Sequence, residues 1–196
     1  MNWTKSLLLG LFAAIAALVF QQLALIFWEL SFGNTYDVSW SQNLALSMSM
    51  FLPVAVLIEE TMKYIVITRQ IEFYTYGRTI LLHSMLMGFG FAFTEVGLIA
   101  FNVGVENLLR PEIFGIFLVH ITTAGLIGYG VAANPRPTFS RIFIILFGAT
   151  LVHSLYNIGI LLQDTIPLFV PFAIIGVFTF FLLISLFTVN KKLAQE

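Results

Sequence analysis

The chain has 196 residues, of which 59% are hydrophobic and only 10% charged, with a formal net charge of −1 and no cysteine. A soluble domain carries about 25% charged residues. Nineteen charges therefore exclude a soluble enzyme, a nucleic-acid binder and a disordered chain, and the missing cysteines exclude disulfides, iron–sulfur clusters and thiol catalysis.

The remaining class is an all-α polytopic membrane protein. A spanning helix needs about 20 mostly apolar residues, and six stretches meet that requirement: about 7–28, 42–69, 79–105, 112–133, 139–162 and 167–189. The first follows Lys5 as the front of a signal peptide would. It then runs on to Trp28 without a small-residue cleavage site, and reads as a retained span. The second carries Glu59, Glu60 and Lys63, and its Pro53 removes the helix hydrogen bond to Ser49 just before them. The third contains Glu95, with Gly90, Thr94 and Gly97 as a small-residue stripe that permits close helix approach. The fourth holds His120 followed by Gly125, Gly128 and Gly130. The fifth holds His153 and Asn157, and the sixth is apolar. The alternating polarity of barrel strands is absent, so helices are expected to satisfy the backbone in lipid. Pro111, Pro135, Pro137 and Pro167 mark boundaries. The loops are short, no repeat is visible, and residues 1–196 read as one integral membrane domain.

Basic residues predict orientation. With the N-terminus inside, the inner segments hold Lys5, Lys63, Arg69, Arg78, Arg136, Arg141, Lys191 and Lys192, leaving only Arg110 outside. Glu29, Asp37, Glu106, Glu112 and Asp164 fall outside, so both termini are expected inside. Trp28, Trp40 and the Phe73, Tyr74, Tyr76 cluster suit interfacial positions.

Ionisable residues at membrane depth cost roughly 2.5–3.5 kcal/mol each at a helix centre and mark functional sites. Here they are Glu59, Glu60, Lys63, His83, Glu95, His120 and His153. Counting from span midpoints puts Glu59 roughly 5 Å toward the inside and Glu95 roughly 5 Å toward the outside, with His120 and His153 about 3 Å outside. Four helices thus bring polar groups to one slab. Lys63 lies at i+4 from Glu59 and i+3 from Glu60, so it can neutralise and orient one of them. Phe91 with Glu95, and His153 with Asn157, share faces in the same way. The structural alternatives are an inner ion pair at Glu59, Glu60 and Lys63, a hydrogen-bonded acid at Glu95, and packing histidines. His83 reads as interfacial or structural, Glu106, Arg110 and Glu112 as a solvated outer turn, and the phenylalanines as packing or lipid-facing.

Carboxylates, imidazoles and an amide without a thiol or a triad suit hydrolysis by activated water. Desolvation disfavours a charged carboxylate and neighbouring acids share protons, which prepares one of them as a general base. A histidine and an asparagine on one face can donate to a developing oxyanion. Two histidines and a glutamate also form a ligand set for catalytic zinc. The H-E-x-x-H pattern is absent, so a cofactor-free site is expected, with zinc as the rival.

The residues Glu59-Glu60-Thr61-Met62-Lys63 resemble the E-E-x-x-K motif of the PrsW family of intramembrane proteases. Phe91-Ala92-Phe93-Thr94-Glu95 resembles that family's F-x-x-x-E. His120 with the glycine-rich run to Gly128-Tyr129 resembles its third motif, and His153-Ser154-Leu155-Tyr156-Asn157 its last. The four occur in family order over about 55–160, and the flanking spans carry no signature. The wider superfamily of CAAX-processing and bacteriocin-processing proteins has E-E-x-x-x-R and F-x-x-x-H, from which Lys63 and Glu95 depart.

The resemblance implies a glutamic-type peptidase in a prokaryotic cell membrane. It makes Glu59 and Glu60 the source of the water-activating carboxylate and Glu95 a partner acid. His120, His153 and Asn157 orient water or stabilise the oxyanion, while Lys63 and Phe91 give structural support. Its partners are the lipid bilayer and a single-span membrane protein substrate, such as an anti-sigma factor clipped on the outer side. The competing class is non-enzymatic, either a proton-coupled carrier using the three glutamates as a relay or an immunity-type scaffold. Inverted repeats would favour the carrier, and none is visible.

A water path from the outside is expected. Cysteines introduced at Val96 and Asn157 should react with impermeant reagents added outside, and reaction from the inside alone overturns that path.

Overall fold

The computed structural model describes residues 1–32, 40–75, 77–134 and 137–193. Asp37, Tyr76, Pro135 and Arg136 lie outside the described residues, as do the side chains of Trp40, Tyr74, Lys191 and Lys192.

The described residues form helices and turns with no strand. The long helices are α1 (Trp3–Phe32) and α2 (Trp40–Val66), then α4 (Arg78–Val103), α5 (Pro111–Ala133), α6 (Phe139–Leu161) and α7 (Phe169–Leu193), with the single turn α3 (Glu72–Tyr74) between α2 and α4. Among them α1, α4, α5, α6 and α7 are long and apolar enough to cross a membrane. The sixth long helix, α2, carries Glu59, Glu60 and Lys63. The protein is an integral membrane helical bundle.

The second helix does not stop near Arg69. It continues through a π-helical turn, Ile67–Ile71, into α3, so Arg69 and Phe73 stand on helix and the gap left between the expected spans 42–69 and 79–105 is largely helical. Gly77 makes the reversal into α4 at a φ of 51°, a conformation that glycine adopts without a Cβ penalty. Pro111 opens α5 at a position whose N–H would be unpaired in any case.

Lipid is as apolar as the side chains, so helix association relies on close packing. Glycines provide it here. A Cβ on Gly10 of α1 would strike the Met87 carbonyl of α4, and one on Gly90 would strike the Leu7 carbonyl. A Cβ on Gly88 would strike the His120 carbonyl of α5. Gly125, Gly128 and Gly130 each admit a different neighbour, namely Leu182 of α7, Ser84 of α4 and Ile145 of α6. This makes α5 the buried helix, with α4, α6 and α7 packed around it and α2 against its site-bearing face. The expected small-residue stripe holds at Gly90 and fails at Gly97, where a Cβ would meet nothing within 4 Å.

The main core joins Ala13, Ala14 and Ala17 of α1 to Met87 and Phe91 of α4 and to Ala124, Ile127 and Val131 of α5. Phe12, Phe27, Phe101, Phe143 and Phe180 are exposed, as suits lipid-facing positions. His83 is buried, with Nδ1 2.7 Å from the Ser6 hydroxyl, and ties α4 to the start of α1. Glu106 and Arg110 are exposed as expected, but Glu112 is half-buried. Its backbone carbonyl accepts the Tyr156 hydroxyl, which draws the start of α5 against α6.

Gly10→Leu forces the α1 and α4 backbones apart and should cost about 1–3 kcal/mol, read as a lower midpoint in detergent unfolding. Gly97→Ala should be neutral or stabilise by up to about 1 kcal/mol.

Candidate active site

The consecutive residues Glu59 and Glu60 leave α2 in different directions. Glu60 is fully buried and directed toward α5 and α6. Lys63, one turn on and equally buried, donates to Glu60 Oε1 at 2.7 Å and to Thr123 Oγ1 at 3.0 Å. Thr123 donates its hydroxyl to the same Glu60 oxygen at 3.2 Å. The Lys63 ammonium also stands 4.8 Å from the centre of the Phe91 ring, a cation–π contact. A buried ion pair repays its desolvation only when further hydrogen bonds satisfy both partners, and Thr123 and Phe91 supply that surrounding.

His153 Nδ1 of α6 is 2.6 Å from Glu60 Oε1 and 3.7 Å from Glu59 Oε2. An ionised carboxylate only accepts, so Nδ1 carries the proton toward Glu60. His120 stands edge-on to His153 with ring centres 4.9 Å apart, and its other side packs on Phe91 at 4.8 Å. His120 Nε2 is 2.5 Å from Glu95 Oε2. When Nε2–H donates to that carboxylate, Nδ1 is left as a bare lone pair, and a carboxylate orients metal-binding or water-binding histidines in this way.

Three buried atoms in this cluster have no hydrogen-bond partner among the described residues: Glu59 Oε2, Glu60 Oε2 and His120 Nδ1. One ligand atom from each of Glu59, Glu60, His120 and His153 lies within 4.8 Å of the others. The offset between Glu59 and Glu95 reckoned from span midpoints does not separate them, because the imidazole of His120 bridges the gap. It touches Glu95 with one nitrogen and belongs to the Glu59, Glu60 and His153 group as well.

The structure thus brings together Glu59, Glu60, Lys63, Phe91, Glu95, His120 and His153. It does not join Asn157 to them: that residue is half-buried, and its amide makes no hydrogen bond to the cluster among the described residues. His83 stands apart on its bond to Ser6. Two residues of the site escaped the sequence reading. Gln21 of α1 donates to Glu59 Oε1 at 2.7 Å and to the Ala55 carbonyl at 3.1 Å. Its signal was the polar pair Gln21-Gln22 in an otherwise apolar span. Thr123 carried a weaker signal, as a hydroxyl at i+3 from His120 on the face that leads into the glycine run.

The family model described as PrsW family intramembrane metalloprotease matches residues 2–186. The chain belongs to the PrsW family. No curated protein and no solved structure matches it. Membership of the PrsW family makes it an intramembrane protease, and the match extends over α1, which carries no motif yet contributes Gln21. The family description names a metalloprotease, where the sequence led us to expect a cofactor-free site. The residues present fit a divalent cation such as zinc: one ligand atom from each of Glu59, Glu60, His120 and His153 lies within 4.8 Å of the others, and Glu59, Glu60 and His120 each keep a buried acceptor without a hydrogen-bond donor among the described residues.

Lys63→Met leaves Glu60 buried without its counter-charge and should cost about 3–5 kcal/mol in detergent unfolding. Lys63→Met with Glu60→Gln should recover part of that loss. Thr123→Val should cost about 1 kcal/mol.

Proposed function

We propose that the protein cleaves single-span membrane proteins, anti-sigma factors among them, by water activated in the Glu59, Glu60, His120 and His153 cluster. The observation that carries this reading is the set of three buried, unpartnered acceptors, Glu59 Oε2, Glu60 Oε2 and His120 Nδ1. Glu59, held at one oxygen by Gln21, keeps the other for a water proton and is the general base. Glu60 is fixed by three donors on Oε1, so it positions rather than transfers. Glu95 orients His120. The unengaged amide of Asn157, one turn from His153, is the donor available to the oxyanion. Lys63 and Phe91 hold Glu60 and His120 in place.

The same three acceptors also favour a metal-assisted form. A divalent cation takes a lone pair from each of several such acceptors at once. Glu59, Glu60, His120 and His153 would hold the ion, which would polarise water and the scissile carbonyl. Both termini inside agrees with the placement of the basic residues, and in that orientation the substrate approaches from the outer half.

Purified protein should cleave single-span substrates in liposomes. Glu59→Gln should reduce cleavage by about 10²–10⁴-fold, the usual contribution of a general base, with comparable losses for Glu60→Gln and His153→Ala. Abolition by a chelator and restoration by zinc selects the metal-assisted form, and indifference to the chelator selects the glutamic form. Equal cleavage by all variants overturns the reading, and proton flux without cleavage replaces it with the carrier.

A further inference from the structure

Helix α1 changes neighbours along its length. In its first half it presses on α4, with Ser6 bonded to His83, Gly10 on the Met87 carbonyl, and Ala13, Ala14 and Ala17 buried. In its second half it follows α2, through the Gln21 bonds to Glu59 and Ala55 and the edge-on contact of Trp28 with Phe51, 6.4 Å between ring centres. Among the described residues, Ala17 is the last buried residue of α1 and Ala92 the last of α4. Beyond these positions the two helices, in backbone contact at Gly10 and Gly90, have only half-buried and exposed residues among the described ones.

Glu95 lies just past Ala92. Its side chain is 39% exposed while the His120 it contacts is fully buried. Two residues on, Gly97 has open space where a Cβ would stand. Acyl chains carry no hydrogen-bond donors, so a glutamate side chain left partly exposed at this depth is costly unless something polar covers it. The occupant must supply donors and must also reach the water-activating carboxylates behind Glu95. An intact transmembrane helix cannot do this, because its amides are already paired internally. A locally unwound peptide can, since it offers free N–H groups and an accessible carbonyl together.

We propose that the opening between α1 and α4, in the half of the bundle away from the N-terminus, is the lateral entrance for the substrate's membrane segment. The segment passes Glu95 as an unwound stretch whose backbone N–H groups meet the carboxylate, in a sequence that helix-weakening residues such as glycine allow to open. This proposal rests on the peptidase reading above.

The chain has no cysteine, so single cysteines report without background. Leu98 and Asn102 are exposed residues on the Glu95 side of α4, and Phe143 is exposed on α6. In the Glu59→Gln background, Leu98→Cys and Asn102→Cys should cross-link through a short bis-maleimide to a single-cysteine substrate at least tenfold more than Phe143→Cys. In the otherwise wild-type protein, Leu98→Trp should lower kcat/KM at least tenfold, and Phe143→Trp should leave it within twofold. Equal or stronger cross-linking at Phe143→Cys, or no cross-linking at either α4 position while the wild type cleaves, overturns the entrance alone. A wild type that cleaves no single-span substrate overturns the peptidase reading first, and the entrance with it.

Discussion

Lys63 places an ammonium group 2.7 Å from Glu60 with neither side chain exposed. Two charges in a bundle interior repay their desolvation only when further hydrogen bonds support them. Thr123 and His153 answer that demand at Glu60 Oε1, and Phe91 answers it at the ammonium. The pair therefore fixes α2 relative to α4, α5 and α6 at one level. With Oε1 saturated by three donors, Glu60 has only Oε2 left for chemistry, and the neighbouring Glu59 is free to differ from it. Two adjacent carboxylates acquire two roles because one lysine reaches only one of them.

That arrangement needs backbones closer than ordinary side chains allow. Gly88 lets α4 rest on the carbonyl of His120 itself, and Gly10 and Gly90 bring α1 onto α4. The glycines are thus part of the site's geometry: each sets how far a polar side chain must reach to cross from one helix to the next. Beyond Ala17 and Ala92, the last buried residues of the two helices among those described, the Glu95 side chain of the polar machinery is partly exposed. A peptidase within a membrane must reconcile a dry, preorganised interior with access for a polymer. Here the first half of α1 provides the former, and its departure toward α2 provides the latter.

The composition and the positions of the few charges determined the class of this protein. Apolar runs of spanning length admit little but helices in lipid, and a helical period places Lys63 on the side of Glu59 and Glu60, and Phe91 on that of Glu95. The four motifs in order carried the family resemblance, because each is a set of polar residues on one turn of one helix. Sequence could not say which glutamate Lys63 would hold, since i+3 and i+4 are equally near on a helix surface. It could not enlist Gln21 or Thr123, whose partners lie on other helices. The tertiary structure decided these points. Periodicity fixes which residues leave a helix together, but the rotation of each helix, and the neighbour it meets, are set by long-range packing at glycines that look alike in sequence. Gly90 touches a backbone and Gly97 touches nothing, and no local pattern tells them apart.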